Sequence, residues 1–180
     1  LAVSRDMPVI TDSLESVLGQ KYFVFVMHRQ ENLMNREFVG QVVAYVERMA
    51  QKLKCALILH KITENTLRET GALQRLQASP TFILLHRVDY FDFMKILGHA
   101  EYVITDGGSN QEELYYMGKP CLIMRKTTER QEGIGENAKL FGGEVEELLH
   151  FAESYEDMRI EPVSVSRSPS EIIAEVLMAL

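Results

Sequence analysis

The feature that most constrains the fold of this chain is its alternation between short apolar runs and segments with helical spacing. Five runs are almost entirely apolar and a short sixth follows; they cover residues 21–27, 55–59, 81–85, 102–104, 120–124 and 138–141. Continuous apolar runs of this length are typical of strands buried on both faces of a sheet. Strands that alternate with helices favour a parallel sheet. The sequence therefore predicts an α/β fold, a Rossmann-like three-layer domain with a mostly parallel sheet of about six strands.

Helices are expected between these strands. Apolar residues recur at helical spacing from Phe38 to Leu53, and Asp89 is suited to cap the helix after the third strand. One helix is expected over residues 63–76, with Thr66 and Glu69 as a capping box.

The two ends of the chain differ in pattern. Residues 1–20 have weak periodicity and are expected to be a lead-in or linker, whereas residues 21–180 are expected to form one domain. Another helix is expected near residues 145–153. Ser168 and Pro169 then indicate the start of a closing helix. That helix is expected to bury its apolar side chains, Ile172, Ile173, Val176, Leu177 and Leu180.

The formal net charge of −7 argues against a general binder of nucleic acid or of anionic membranes. No apolar stretch has the length of a membrane span, and no charged-then-apolar leader opens the chain. Cys55 and Cys121 each lie inside an apolar run, so they are interpreted as reduced core residues of a cytoplasmic protein.

Polar residues follow the predicted strands at the point where each strand ends. Because crossovers in a parallel sheet are right-handed, these strand ends lie along one edge, where open α/β sheets bind ligands. The residues predicted at this carboxyl edge are His28, Arg29, His60, Lys61, His86, Arg87, Arg125 and the turn 106–109.

The turn after the fourth strand carries the strongest single signal. Gly107 and Gly108 allow close approach of a ligand to the backbone, and the start of a helix behind them favours a bound anion, most often phosphate. Ser109 with Glu112 fits a capping box, so the helix is expected to start at Ser109. Glu113 lies one turn further along and is suited to bind ribose hydroxyls. An ordinary strand-to-helix connection is the alternative.

Other chemistries fit less well. Zinc is disfavoured because no His-x-x-x-His or Cys-x-x-Cys spacing occurs. A nucleophilic serine elbow and a Gly-x-Gly-x-x-Gly dinucleotide fingerprint are also missing. Residues 125–130 follow the fifth strand with three cationic side chains and two hydroxyls, and indicate a phosphate or sugar clamp or else a solvated loop.

Three ordered motifs, at residues 28–32, 105–113 and 118–130, together resemble the C-terminal half of the non-hydrolysing UDP-N-acetylglucosamine 2-epimerases. The likeness covers about residues 20–180 and implies the C-terminal domain of a GT-B fold. It implies that Gly107, Gly108 and Ser109 hold the diphosphate and that Glu113 binds the ribose. The resemblance also implies that His28 is the active-site histidine, that Arg87 and Phe93 lie at the uracil, and that Arg130 lies near the phosphates or sugar. The edge residues Arg29 and His60 are placed in the same substrate site.

The resemblance also implies a reaction without a cofactor or metal. In that reaction C2 of the sugar loses its proton and UDP leaves C1. UDP then adds back to C1, and a proton returns to C2 on the opposite face, which inverts the configuration at C2. The carboxylates that exchange the C2 proton belong in that family to an N-terminal domain, which residues 1–20 do not supply. The implied partners are a UDP-sugar, that missing domain and a second copy in a homodimer. The family's commoner Asp-Ser-Gly-Gly pattern differs here, because the hydroxyl follows the glycines.

Two alternatives remain open at this stage. The chain is also consistent with the UDP-sugar-binding half of a GT-B glycosyltransferase, which would add a separate acceptor. A non-catalytic binding domain that kept the fold is the other alternative.

Overall fold

The computed structural model describes residues 17–86, 88–164 and 169–178, with side chains described outside 165–172. Its strands are β1 Tyr22–Val26, β2 Lys54–Leu59, β3 Phe82–His86, β4 Val103–Thr105, β5 Cys121–Ile123 and β6 Ala138–Leu140. Its α-helices are α1 Gln30–Leu33, α2 Arg36–Met49, α3 Lys61–Glu69, α4 Ala72–Ala78, α5 Tyr90–His99, α6 Gly108–Tyr116, α7 Glu147–Ser154 and α8 Pro169–Met178. A 3₁₀ turn, Tyr155–Met158, follows α7.

The six strands form one sheet in the order β3-β2-β1-β4-β5-β6. Every neighbouring pair is parallel, which confirms the predicted α/β class. The chain order reverses between β1 and β4, so the loops that follow these two strands diverge and leave a crevice at the carboxyl edge.

The core has two halves, one on each face of the sheet. Alternate residues of β1 point to opposite faces, so Phe23 and Phe25 pack with α2 and α7, while Val24 and Val26 pack with α5 and α6. All five residues of β1 are buried. This two-sided burial explains why the strand appears in the sequence as an uninterrupted apolar run.

The helix expected over residues 63–76 is instead two helices, α3 and α4. Gly71, with φ of 71°, adopts the left-handed conformation and ends the first helix. The predicted capping box is also wrong, because Thr66 lies inside α3, where its hydroxyl accepts a hydrogen bond from Arg36 Nη1 at 2.9 Å. A helix start needs free amide groups, and the amides near Thr66 are already within a helix.

Two helices begin at a polar side chain that caps the first turn. The Asp89 side chain accepts a hydrogen bond from the amide of Asp92 at 3.0 Å, which confirms the predicted start of α5. Asn35 caps α2 in the same way through the amide of Phe38, at 3.1 Å. Both side chains satisfy amides that have no partner inside their own helix.

The closing helix α8 forms, but its predicted burial is wrong. Ile173, Val176 and Leu177 are 59%, 58% and 65% exposed. The spacing that predicts an apolar face does not determine whether another part of the molecule covers that face. Ser168, Leu180, residues 1–16 and the Ile172 side chain lie outside the described residues. None of the helices described here is long and apolar enough to cross a membrane.

Candidate functional site

Asp106, directly after β4, joins the loops of the carboxyl edge. Its carboxylate is fully buried and accepts hydrogen bonds from the amides of His28 at 3.0 Å and Arg29 at 2.9 Å. Asn32 Nδ2 also donates to it, and to the carbonyl of Met124, both at 3.1 Å. The loops after β1, β4 and β5 are thus held together by one carboxylate and one amide side chain.

The ionisation of Asp106 follows from these contacts. Burial by itself raises the pKa of the carboxyl, but the contact with the His28 side chain and the two backbone amides outweigh it and hold the pKa below its ordinary value. Asp106 is therefore a carboxylate at neutral pH.

His28 lies over this carboxylate and faces the crevice. Its Nδ1 is 3.1 Å from Asp106 Oδ1, although the ring is not aligned for a good hydrogen bond. The rings of His28 and His60 lie 4.7 Å apart, centroid to centroid. Burial lowers the pKa of His60, and the neighbouring His28 lowers it further, against the opposing effect of Asp106. His60 is consequently neutral at pH 7, and the negative charge nearest to His28 is that of Asp106.

The first turn of α6 has a different start from the one predicted. Gly107, not Ser109, is the N-cap residue, and the helix begins at Gly108. The buried hydroxyl of Thr105 orders the turn, because it accepts from the Gly107 amide at 3.0 Å and donates to Asn110 Oδ1 at 2.9 Å. Ser109 is therefore already helical and exposed, and cannot cap its own first turn.

The amides of this first turn are free to bind an anion. Those of Gly108, Ser109 and Asn110 donate to no acceptor within the described part of the chain. Free amides at a helix N-terminus carry the positive end of the helix dipole. Gly107 packs closely against its neighbours, because a Cβ there would lie 2.6 Å from Asn110 Oδ1 and 3.3 Å from His28 Cε1.

The loop after β5 brings two arginines to the start of α6. Arg125 Nη2 contacts Glu129 Oε2 at 2.8 Å, and the Arg125 side chain is only 13% exposed. Arg130 forms an ion pair with Glu112 of α6. Glu112 thus pairs across to the loop instead of completing the capping box.

Gln111 anchors the same loop. It is fully buried, and its Nε2 donates to the carbonyls of Arg130 and Glu132 at 3.2 and 2.9 Å. Its Oε1 accepts from the hydroxyl of Thr128 at 2.9 Å. The cationic segment 125–130 is therefore a fixed wall beside α6, which favours the clamp over the solvated loop.

A cleft of about 430 Å³ opens beside the first turn of α6. It is lined by Val26, His28, Ile58, Leu59, His60, Val88, Tyr90, Phe93, Ser109 and Asn110. The lining combines apolar and aromatic side chains with two histidines and the first turn of α6. Such a lining suits a ligand that has both a flat ring and a charged group.

Glu113 lies on α6 one turn beyond Ser109. Its Oε2 accepts from Asn110 Nδ2 at 3.2 Å. Burial raises the pKa of the Glu113 carboxyl, while Asn110 and Tyr90 oppose that effect. The group is a hydrogen-bond acceptor close to residues that line the cleft.

The structure places most of the predicted site residues at one edge. His28, His60, Phe93 and Ser109 line the cleft; Gly107, Gly108, Glu113 and Arg130 lie on or against α6. Arg29 contributes its amide to Asp106, while its guanidinium pairs with Glu31 at 2.8 Å. Arg87 lies outside the described residues.

Sequence reasoning assigned no individual role to Asp106, Asn32 or Arg125. Their positions after β4, β1 and β5 could be read from the sequence. However, Asn32 donates to Asp106 and to the carbonyl of Met124, 74 and 92 positions away, and no local pattern predicts such contacts. Among the residues whose side chains are described, no group of three His, Cys, Asp or Glu could hold a metal ion.

A second cavity, of about 220 Å³, lies away from this edge. Its lining includes Tyr102, which precedes β4, and Leu53, which precedes β2. The amino ends of the strands therefore border it, opposite the loops that hold Asp106.

The chain order reverses between β1 and β4, and the free amides of α6 lie at this reversal. This arrangement defines a Rossmann-like domain, a class that binds nucleotides at the carboxyl edge of the sheet. A family model described as UDP-N-acetylglucosamine 2-epimerase matches residues 3–169, and the chain belongs to that family.

Relatives and solved structures agree with this assignment. The UDP-N-acetylglucosamine 2-epimerase of Methanococcus maripaludis is 31% identical over 138 residues, which are 75% of this chain and 38% of that protein. The structure of the Methanocaldococcus jannaschii UDP-GlcNAc 2-epimerase has a TM-score of 0.80 at 24% identity, and covers 94% of this chain and 50% of that one. The Neisseria meningitidis enzyme, solved bound to UDP-GlcNAc, has a TM-score of 0.73 at 25% identity over 90% of this chain and 46% of that one. The chain thus spans half or less of the length of these relatives.

Proposed function

We propose that this chain is the nucleotide-sugar-binding half of a UDP-N-acetylglucosamine 2-epimerase, which interconverts UDP-N-acetylglucosamine and UDP-N-acetylmannosamine. The observation that carries the proposal is the set of free amides at Gly108, Ser109 and Asn110, which faces Arg125 and adjoins the cleft lined by His28. That arrangement suits a diphosphate. A relative solved with UDP-GlcNAc supports the choice of ligand.

The uridine diphosphate is proposed to lie across the start of α6. The first-turn amides hold the diphosphate, together with Arg125 and Arg130 on the adjacent loop. Glu113 accepts hydrogen bonds from the ribose hydroxyls. The uracil is proposed to lie in the cleft near Phe93, and the sugar beyond His28.

The chemistry of this half is electrostatic. As the C2 proton is removed, its electron pair forms a C1=C2 double bond and the C1–O bond breaks with both electrons leaving on UDP. Negative charge then grows on the diphosphate, where the amides of α6 and the arginines stabilise it. UDP adds back to C1, and a proton returns to C2 on the opposite face.

His28 is proposed to be the catalytic residue of this half. Its ring lies between Asp106 and the proposed diphosphate position, with Nδ1 3.1 Å from Asp106 Oδ1. A protonated His28 would neutralise the leaving diphosphate or give it a proton. The residues that exchange the C2 proton are proposed to belong to the rest of the protein, as is any contact that forms a homodimer. The reaction is proposed to take place in the cytoplasm.

Calorimetric titration of this chain tests the proposal. We expect UDP to bind at least about 10-fold more tightly than ADP, since recognition includes the base. We also expect no epimerisation of UDP-N-acetylglucosamine by this chain alone, followed by NMR of the sugar protons. Equal affinity for UDP and ADP would contradict the proposal. The substitutions His28→Ala and Arg130→Ala test the alternative of a non-catalytic binding domain. If that alternative is correct, the biological role of the protein should be retained in both variants.

A further inference from the structure

The carboxylate of Glu129 lies against the start of α6. A Cβ built on Gly108 would be only 2.9 Å from Glu129 Oε1 and 3.5 Å from Arg125 Nη1. Glu129 Oε2 is at the same time 2.8 Å from Arg125 Nη2. One acidic side chain therefore contacts both the helix start and the nearest arginine.

The Glu129 side chain is a negatively charged carboxylate at neutral pH. The hydrogen bond from Arg125 and the backbone amide of Glu129 lower the pKa of this carboxyl to about 2, with the charges of Arg125 and Arg29 adding to the effect. Burial does not hold the side chain in place, because 62% of it is exposed. Glu129 is thus a surface anion in contact with groups suited to bind an anion.

Several hydrogen-bond donors around Glu129 have no acceptor within the described residues. Arg125 Nη1 is buried and has no hydrogen-bond partner within the described residues. The amides of Gly108, Ser109 and Asn110 likewise have no acceptor in the described ranges. One carboxylate leaves donors that a diphosphate, with its larger number of oxygens, would satisfy.

We propose that Glu129 is an internal competitor of the ligand, which occupies the diphosphate position of the empty site and leaves it when a nucleoside diphosphate binds. This inference rests on the proposed function. It makes Glu129 a determinant of affinity, because the ligand must displace a carboxylate that already pairs with Arg125 and lies against the start of α6. Arg125 is then a ligand-binding residue that pairs with Glu129 only while the site is empty.

Replacement of Glu129 by Gln tests the inference. Glutamine keeps the size of the side chain and can still accept a hydrogen bond from Arg125, but it carries no charge. Because an uncharged glutamine pairs more weakly with Arg125 than the carboxylate does, it is displaced more easily, and UDP and inorganic pyrophosphate should bind about 5- to 10-fold more tightly. Uridine, which has no phosphate, should bind with unchanged affinity.

Glu136→Gln is the matched control, because Glu136 is exposed, belongs to the same connection between β5 and β6, and precedes the amino end of β6. It removes the same charge from the chain and should leave all three affinities unchanged. Equal tightening in both variants would reduce the effect to net charge and overturn the inference.

The ligands separate the possible failures. If UDP binds no better than ADP but Glu129→Gln tightens pyrophosphate, the proposed function fails and the inference stands. If wild-type protein binds UDP and Glu129→Gln weakens UDP and pyrophosphate or leaves them unchanged, Glu129 instead orients Arg125 and the inference fails. Absence of pyrophosphate binding in both proteins would also overturn it.

Discussion

At the scale of single residues, the site depends on carboxylates with different surroundings. Asp106 is fully buried and accepts hydrogen bonds from two backbone amides and one side chain. Glu113 is partly buried with a raised pKa, and Glu129 is exposed with a lowered one. Because their environments differ, these carboxyl groups have different roles. Asp106 organises the loops, Glu113 is proposed to accept hydrogen bonds from the ribose, and Glu129 is proposed to compete with the diphosphate.

Asp106→Asn should destabilise the protein by about 2 to 4 kcal/mol, because the amide of asparagine would face backbone donors with a donor of its own. Urea unfolding at pH 7 measures this loss. Asp157→Asn, in the exposed 3₁₀ turn, is the control and should change the free energy of unfolding by less than about 0.5 kcal/mol. A loss as small as that in Asp106→Asn would contradict a role in organising the loops.

The same change should alter the acid dependence of stability. The pKa of Asp106 is lowered in the folded state, so its stabilisation is complete above the unfolded value of about 3.9 and is lost as the pH falls through the folded pKa. The wild-type protein should therefore lose more stability below about pH 4 than Asp106→Asn does. Parallel pH profiles for the two proteins would argue against this assignment.

Glu113→Gln should weaken UDP and uridine by about 10-fold and leave pyrophosphate unchanged, because the ribose contact alone is altered. Titration of the three ligands provides the measurement, with pyrophosphate as the internal control. Equal losses for UDP and pyrophosphate would assign Glu113 to the surface of α6 and not to ribose recognition.

At the scale of elements, the helix starts and the breaks between helices position the site. The nine-residue helix α6 begins at Gly108, directly behind the Gly107 turn, and Gln111 attaches it to the loop after β5. Gly71 separates α3 from α4. At Gly71 the left-handed backbone favours glycine, whereas Gly107 has ordinary extended angles and its amide is held by the hydroxyl of Thr105.

Two glycines offer a matched test of that statement. An added Cβ would meet nothing within 4 Å at either Gly40, inside α2, or Gly71, where φ is 71°. Gly40→Ala should raise the free energy of unfolding by about 0.5 to 1 kcal/mol, and Gly71→Ala should lower it by about 1 kcal/mol. Thermal or urea unfolding compares the two. The same sign of change in both would mean that backbone conformation is not the deciding factor.

At the scale of the whole molecule, strand order determines where the functional groups meet. The loops after β1, β4 and β5 converge on Asp106 because these strands are neighbours in the sheet. Segments that precede the strands, such as residues 133–137, lie at the other edge. The formal net charge of −7 does not oppose the proposed anion site, because the local donors and arginines at the carboxyl edge are closer to it than the distant acidic charges.

Hydrogen–deuterium exchange with and without UDP should differ between the carboxyl edge of the sheet and the opposite edge. We expect slower exchange in residues 107–111 and 125–130, and no change in residues 133–137, because the proposed ligand accepts hydrogen bonds only at the carboxyl edge. Uniform slowing across the chain would indicate general stabilisation by the ligand instead of a local site.

Much of the fold could be predicted from local patterns. The six strands, the capping role of Asp89 and the convergence of strand ends at one edge all follow from apolar runs and periodicity. The misassigned features are those that depend on context: Ser109 as N-cap, the single helix over residues 63–76, and the burial of Ile173, Val176 and Leu177 in α8. In each case the local pattern is compatible with more than one structure, and contacts outside the segment select one.

The sequence by itself determined the layers of this protein, because burial of apolar strands and helix faces is a property of short segments. It also placed polar residues at the strand ends. Only the tertiary structure decided how those residues are paired: Asp106 with the amides after β1, Glu112 with Arg130, and Glu129 with Arg125 at the start of α6. These contacts depend on the direction and distance between groups far apart in the chain, which only the packing of the helices and loops around the sheet establishes.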